Sequence, residues 1–190
     1  MRVGLFGGSF DPPHAGHLHV ARTALVRLGL DRVIWLVSPQ NPLKAGRGVG
    51  SLRSRTAAAR TIAGGPSMIV SDAEAKIGSA YTVDTLRVLQ ARFPGVRFVW
   101  VMGADNLAGF HRWRGWPEIV SRVPLAIIAR PGASHARLAP LARRFSHARR
   151  QARASARLAL ARPPAWIFLD APLNFFSSTA LRGRSDANPS

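Results

Sequence analysis

Cysteine is absent from the chain, which excludes a disulfide framework, a thiolate zinc site and a cysteine nucleophile together. Acidic residues are scarce: nine Asp and Glu stand against 27 Lys and Arg, a formal net charge of +18. No carboxylate pair lies near the motifs described below, so nothing points to paired-carboxylate acid–base catalysis. No apolar run approaches the roughly 20 residues of a membrane span, and Met1 leads into Arg2-Val3-Gly4-Leu5-Phe6 rather than a signal-peptide pattern. A cytoplasmic protein with no membrane partner is the expectation. No internal repeat is visible.

What is present suffices for a fold. A chain of 190 residues with 47% hydrophobic side chains suits one domain with a substantial core, here expected over residues 1–183, with a disordered tail at 184–190. The positive excess attracts polyanions over long range, so nucleic acid has to be weighed as a partner. Much of that excess sits at Arg137, Arg143, Arg144, Arg149, Arg150, Arg153, Arg157 and Arg162, with no acidic residue between Glu118 and Asp170. Residues 136–162 read as a helix; a solvated arginine–alanine face is the plainer interpretation, an anion-binding surface the other.

Residues 2–6 read as a buried strand ending at Gly7-Gly8, followed by a helix from beyond Pro12-Pro13 to Gly29 and a second buried strand at 32–37. Strand, glycine turn, helix and strand make a βαβ unit. The spacing further predicts a loop over 38–50, helices over 52–63 and 82–93, and strands at 67–70, 96–102, 125–129 and 165–169. Short helices are expected after Gly103 and over 117–121. Such alternation argues for an α/β fold with a doubly wound parallel sheet, whose ligand crevice lies at the carboxyl ends of the strands.

The strongest motif is Gly7-Gly8-Ser9-Phe10-Asp11-Pro12-Pro13-His14-Ala15-Gly16-His17, placed between the first strand and the first helix. Glycines let backbone approach a phosphate, and a helix amino end offers N–H groups and partial positive charge. His14 and His17, three apart, point to one side of the first turn, where both can donate to phosphate oxygens. Surface histidines of no consequence would share that spacing. The lack of H-E-x-x-H, of cysteine and of a nearby Glu speaks against zinc.

Gly8-Ser9-Phe10-Asp11-Pro12 with His14-Ala15-Gly16-His17 resembles the HxGH superfamily of nucleotidyltransferases, whose Rossmann-like core is shared with class I aminoacyl-tRNA synthetases. The resemblance implies that Gly7, Gly8, Ser9, Phe10, His14, Gly16 and His17 bind ATP, the two histidines acting at the reacting α-phosphate. Phe176-Ser177-Ser178-Thr179-Ala180-Leu181-Arg182 resembles the superfamily's second motif, I-S-S-T-x-I-R. There Ser177, Ser178, Thr179 and Arg182 would hold the β- and γ-phosphates; alone, the same residues would be an ordinary helix cap.

Three further segments are similar to the bacterial nicotinate-nucleotide adenylyltransferases: Ser38-Pro39-Gln40-Asn41-Pro42-Leu43-Lys44, Tyr81-Thr82-Val83-Asp84-Thr85-Leu86, and Gly103-Ala104-Asp105-Asn106-Leu107 with Trp113 and Trp116. That similarity implies that backbone N–H groups of Tyr81 and Thr82 meet a nicotinate carboxylate and that Trp113 stacks on the pyridine ring. It also implies that Lys44 lies near the substrate phosphates, and that Gly103 and Asp105 serve ATP, Asp105 at the ribose. On local grounds the tryptophans are core or rim aromatics, Tyr81-Thr82 a helix start, Lys44 a solvated loop residue and Asp105 an N-cap.

The implied reaction transfers AMP from ATP to nicotinate mononucleotide, giving nicotinate adenine dinucleotide and pyrophosphate in NAD biosynthesis. His14, His17 and Arg182 are the expected catalytic residues, and Mg²⁺ the cofactor, bound mainly through ATP phosphates with no protein ligand. The nearest alternative is the same transfer to nicotinamide mononucleotide or phosphopantetheine. A nucleic-acid-binding protein using the basic segment is the rival from another class. The sequence leaves a homo-oligomer open.

Overall fold

The structure is a computed structural model and describes residues 1–39, 50–129 and 139–170. Among these residues seven strands form one sheet: β1 (Arg2–Gly8), β2 (Arg32–Val37), β3 (Met68–Ser71), β4 (Arg97–Gly103), β5 (Leu125–Ile128), β6 (Arg149–Arg150) and β7 (Trp166–Leu169). Their order is β3-β2-β1-β4-β5-β7-β6, and every pairing is parallel. The chain therefore winds outward from β1 to β3, returns to the middle at β4, and winds out the other way. That reversal is the topological switch point, where a doubly wound sheet opens its crevice.

Parallel neighbours require crossovers, and these cover both faces. Helices α1 (Ala15–Arg27) and α2 (Leu52–Ala63) lie on one face with a 3₁₀ helix at Ala152–Leu160. Val20, Ala21, Ala24, Ala59, Ala63 and Leu158 join Phe6, Val99, Val101, Ala126 and Ile128 there. The other face carries α3 (Ala73–Ile77), α4 (Thr82–Arg92), α5 (Ala104–Leu107), α6 (Trp116–Arg122) and α7 (Pro140–Arg144). Val83, Leu86, Leu107, Ile119 and Leu141 pack against Leu5, Trp100, Met102 and Ile127. Successive residues of β4 and β5 thus alternate between two cores, which is why these strands read as unbroken apolar runs.

Residues 139–162 depart from the expected long helix. α7 stops after five residues, a 3₁₀ turn spans Ser146–Ala148, and Arg149–Arg150 pair as an edge strand with Trp166 and Ile167. Alanine and arginine favour an α-helix locally, but tertiary contacts win. The Phe145 carbonyl accepts a hydrogen bond from Trp166 Nε1 at 2.7 Å, and Arg149 lies 5.3 Å over the Trp166 ring. In the following 3₁₀ helix the three-residue period puts Ser155 and Leu158 on one buried face. α3 is an addition that the sequence reading did not include. Among the described residues no helix is long and apolar enough to cross a membrane.

An ion-pair clasp joins α4 to α6: Glu118 accepts from Arg87 at 2.6 Å and from Arg122 at 2.6 Å. Hydrogen bonds from Arg87 and then Arg122 lower the Glu118 carboxyl from its ordinary value to about 2. A carboxyl lowered on folding stabilises above its unfolded pKa and loses that contribution as pH falls through the folded one. Glu118→Gln should therefore lower Tm by a constant amount between about pH 5 and 8, the gap closing as pH falls from about 4.5 towards 2. Thermal unfolding of both proteins across this range checks it.

Candidate active site

The crevice begins where β1 and β4 part. Their pairing ends with Phe6 opposite Val101, although β1 continues to Gly8 and β4 to Gly103. Gly7 has no room for a side chain, since a Cβ there would sit 2.6 Å from the Trp100 ring; one at Gly8 would meet the Phe10 ring at 3.1 Å. These glycines are thus needed by the packing beneath the turn as well as by any ligand above it. Phe10 adopts φ 47°, a left-handed conformation unusual for a bulky residue. Its buried ring holds it there, packed at 5.3 Å on Phe6, 5.0 Å on Trp35 and 5.1 Å on His17.

His14 and His17 form a reciprocal cap on α1. His14 Nδ1 accepts from the Gly16 N–H at 3.0 Å, and His17 Nδ1 accepts from the His14 N–H at 3.2 Å. The rings lie 3.9 Å apart between centroids. A ring nitrogen that accepts a hydrogen bond carries no proton, so the proton of each neutral imidazole sits on Nε2. The capping geometry therefore turns both histidines into donors at Nε2. Gly16 is buried inside the first turn.

Arg55 ties this turn to the rest of the site. It sits on the inward stripe of α2 with Thr56, Ala59 and Ala63, and is only 3% exposed. Nη1 donates to Ser9 O at 2.6 Å and Ser38 O at 2.9 Å, Nε to Gly50 O at 2.8 Å, and Nη2 to Pro39 O at 3.0 Å. One planar guanidinium thus joins the glycine turn, the exit of β2 and the entry to α2. Burial lowers its pKa, and the charge of Asp11 opposes that shift.

Gly103 caps α5 and Asp105 is its second, exposed residue, so Asp105 is not the N-cap of that helix. Tyr81 and Thr82 begin α4, whose first turn has no side-chain cap. The Tyr81 N–H is already donated to Ser79 Oγ at 3.1 Å, which leaves Thr82 and the residue after it as the better backbone donors. Trp113 is half-buried, edge-on to Trp100 at 6.1 Å and to Phe110 at 5.3 Å. Arg114 lies 4.7 Å over the Tyr81 ring, and Gly115 abuts Val83. Segment 113–115 is thereby set against the start of α4, while Trp100 runs beneath Gly7. Lys44, Ser177, Ser178, Thr179 and Arg182 lie outside the described residues.

Residues 5–184 match the cytidylyltransferase-like family model. The chain is 64% identical to a protein named probable nicotinate-nucleotide adenylyltransferase from Caulobacter sp. (strain K31), over 97% of this chain and 98% of that one. Its identity to a protein of the same name from Cereibacter sphaeroides (strain ATCC 17025) is 55%, covering 96% and 97%. The chain belongs to the nicotinate-nucleotide adenylyltransferase family. Its fold matches that of the Plasmodium falciparum nicotinic acid mononucleotide adenylyltransferase complexed with NaAD, with a TM-score of 0.71, 16% identity, and coverage of 96% of this chain and 82% of that one.

Within this nicotinate-nucleotide adenylyltransferase fold, the motif reading did not single out Arg55, or Glu74, which is 2% exposed and bonded to Ser38. Arg55 had a signal: it lies four and eight residues before Ala59 and Ala63, a charge on an otherwise small, inward stripe. Glu74 had none, because its partners are Ser38, just after β2, and Thr85 in α4. Arg55→Ala leaves four part-buried carbonyls without their donor and should cost about 3 kcal/mol, a Tm drop of about 6–12 °C for a chain of this size. Arg55→Lys should recover little, since one ammonium cannot span the same carbonyls; differential scanning calorimetry of the three proteins reads this out.

Proposed function

We propose that this chain transfers AMP from ATP to nicotinate mononucleotide, releasing pyrophosphate and nicotinate adenine dinucleotide, as the names of its relatives imply. The observation that carries the mechanism is the capped histidine pair at the switch point, whose Nδ1 atoms both accept backbone hydrogen bonds and so leave Nε2 to donate. In this reading a phosphate oxygen of the mononucleotide attacks the α-phosphorus in line. One P–O bond forms as the bond to the β-phosphate oxygen breaks, and pyrophosphate carries away the electron pair. The attacking phosphate is already ionised, so no base is required.

Catalysis then rests on positioning and charge. His14 and His17 donate to the α-phosphate, whose equatorial oxygens gain negative character. Gly7, Gly8, Ser9, Phe10 and Gly16 shape the turn that receives the triphosphate, Gly103 and Asp105 face the nucleoside side, and Ser177, Ser178, Thr179 and Arg182 take the outer phosphates. Lys44, Tyr81, Thr82 and Trp113 serve the acceptor. A carboxylate suits the uncapped first turn of α4, and a flat cationic ring suits the indole of Trp113.

Magnesium, when bound, supplies charge neutralisation along the triphosphate. Among the described residues no three His, Cys, Asp or Glu come together as a metal site. In this reading the cation is carried by the phosphates and water, and no protein ligand is assigned to it.

Pyrophosphate release from ATP should be fastest with nicotinate mononucleotide, at least about tenfold above nicotinamide mononucleotide, because one charged group separates the two acceptors. Equal or faster release with nicotinamide mononucleotide, or with phosphopantetheine, would reassign the acceptor. The His14→Ala/His17→Ala double variant should keep its circular dichroism spectrum while losing at least about 100-fold in kcat. Chelation of magnesium should abolish turnover, and added magnesium should restore it.

A further inference from the structure

Glu74 is the most buried acidic group among the described residues, and no step of the reaction uses it. It stands in α3, and its two carboxylate oxygens diverge. Oε2 accepts from Ser38 Oγ at 2.9 Å, at the exit of β2. Oε1 lies 3.4 Å from Thr85 Oγ1, one turn into α4. Its backbone carbonyl accepts from the Ser79 N–H at 3.2 Å, and Ser79 Oγ in turn receives the Tyr81 N–H. Both the side chain and the main chain of Glu74 thus bear on the entry to α4.

Ser38 is the hub on the other side. Its N–H donates to Gly8 O at 3.0 Å, its carbonyl accepts from Arg55, and its hydroxyl donates to Glu74. A continuous path of hydrogen bonds runs from the glycine turn through Ser38 and Glu74 to Thr85. The Thr85 hydroxyl has one proton and two acceptors in reach, Glu74 Oε1 and Tyr81 O, the latter at 3.3 Å. A protonated Glu74 satisfies all of them, donating from Oε1 to Thr85 while Thr85 donates to Tyr81 O. Burial raises the Glu74 pKa, with the Ser38 and Thr85 hydrogen bonds opposing it.

A buried acid held by neutral hydroxyls is a poor source of stability, because its desolvation is only partly offset. What the divergent oxygens provide is direction. We propose that Glu74 is a positioning residue for the acceptor, setting the first turn of α4 against the exit of β2 and so fixing its distance from the glycine turn. This rests on the reading that the acceptor carboxylate docks at that first turn. Ser38 keeps its bonds to Gly8 and Arg55 without Glu74, so the ATP side should be spared.

The test is steady-state kinetics on the full chain with ATP and nicotinate mononucleotide varied separately. Glu74→Ala and Thr85→Val should each raise KM for the mononucleotide at least about fivefold, with KM for ATP within about twofold of wild type. Glu74→Gln can still accept from Ser38 and donate to Thr85, and should restore the acceptor KM to within about threefold. The double variant should be no worse than the worse single one, since both break one path. An unchanged acceptor KM in folded Glu74→Ala overturns the proposal, as does a parallel rise in both KM values that Gln fails to rescue. If Glu74→Ala does not fold, the acceptor KM of Thr85→Val decides by the same criteria. Wild-type protein inactive with nicotinate mononucleotide overturns the acceptor reading instead, and this proposal with it.

Discussion

A parallel β1 flanked by strands running the same way cannot be joined to either by a hairpin, so each connection must cross a face of the sheet and return to the same edge. All strands then end together. Because β2 and β4 lie on opposite sides of β1, the chain leaving β1 has a gap beside it that neither crossover fills. The glycine turn occupies that gap, and its conformation follows from what lies beneath. Trp100 from β4 takes the volume below Gly7, and Phe10 folds back under Gly8 into the cluster of Phe6, Trp35 and His17. A positive φ at Phe10 costs on the order of 1–3 kcal/mol, which burial of an aromatic ring can offset.

The buried polar residues are distributed unevenly, and their distribution has meaning. Of the six among the described residues, His14, Arg55, Glu74 and Thr85 bond the start of α1, the glycine turn, Ser38 or the first turn of α4, whereas Thr56 returns its hydroxyl to Leu52 O within α2 and Ser155 lies in the 3₁₀ helix. Polar groups withdrawn from water add little net stability even when paired. They do restrict geometry, since each donor must find its own acceptor. At Ser9, Ser38 and the start of α4, Arg55 and Glu74 add directional constraints to the apolar packing of Phe10, Val83 and Leu86.

Much of this was legible in the sequence. The strands at 32–37 and 125–129 could be read because near-continuous apolar runs of that length have few other interpretations. The glycine turn and its histidines could be read because strand, glycines and helix start stand in one short stretch. Segment 139–162 could not, because its conformation is set by β7: the Phe145 carbonyl, the pairing of Arg149 and Arg150, and the stacking on Trp166 involve residues more than a dozen positions away. Helix position alone points the Tyr81 N–H outward, whereas Ser79 claims it through a local turn.

The basic surface follows from the same topology. Among the described residues β6 is a two-residue edge strand, and a sheet edge invites pairing with another chain. Both of its residues are exposed arginines, and charge on a very short edge strand is a common means of preventing that pairing. Arg144 lies over Trp116 at 5.4 Å, so part of the charge also shields aromatic surface. These local roles account for several arginines without any polyanion. The net charge of +18 nevertheless sets up a long-range field, and a field attracts small phosphorylated anions as readily as nucleic acid. A chain this basic therefore gives no grounds, from charge alone, for preferring a nucleic-acid partner over nucleotide substrates.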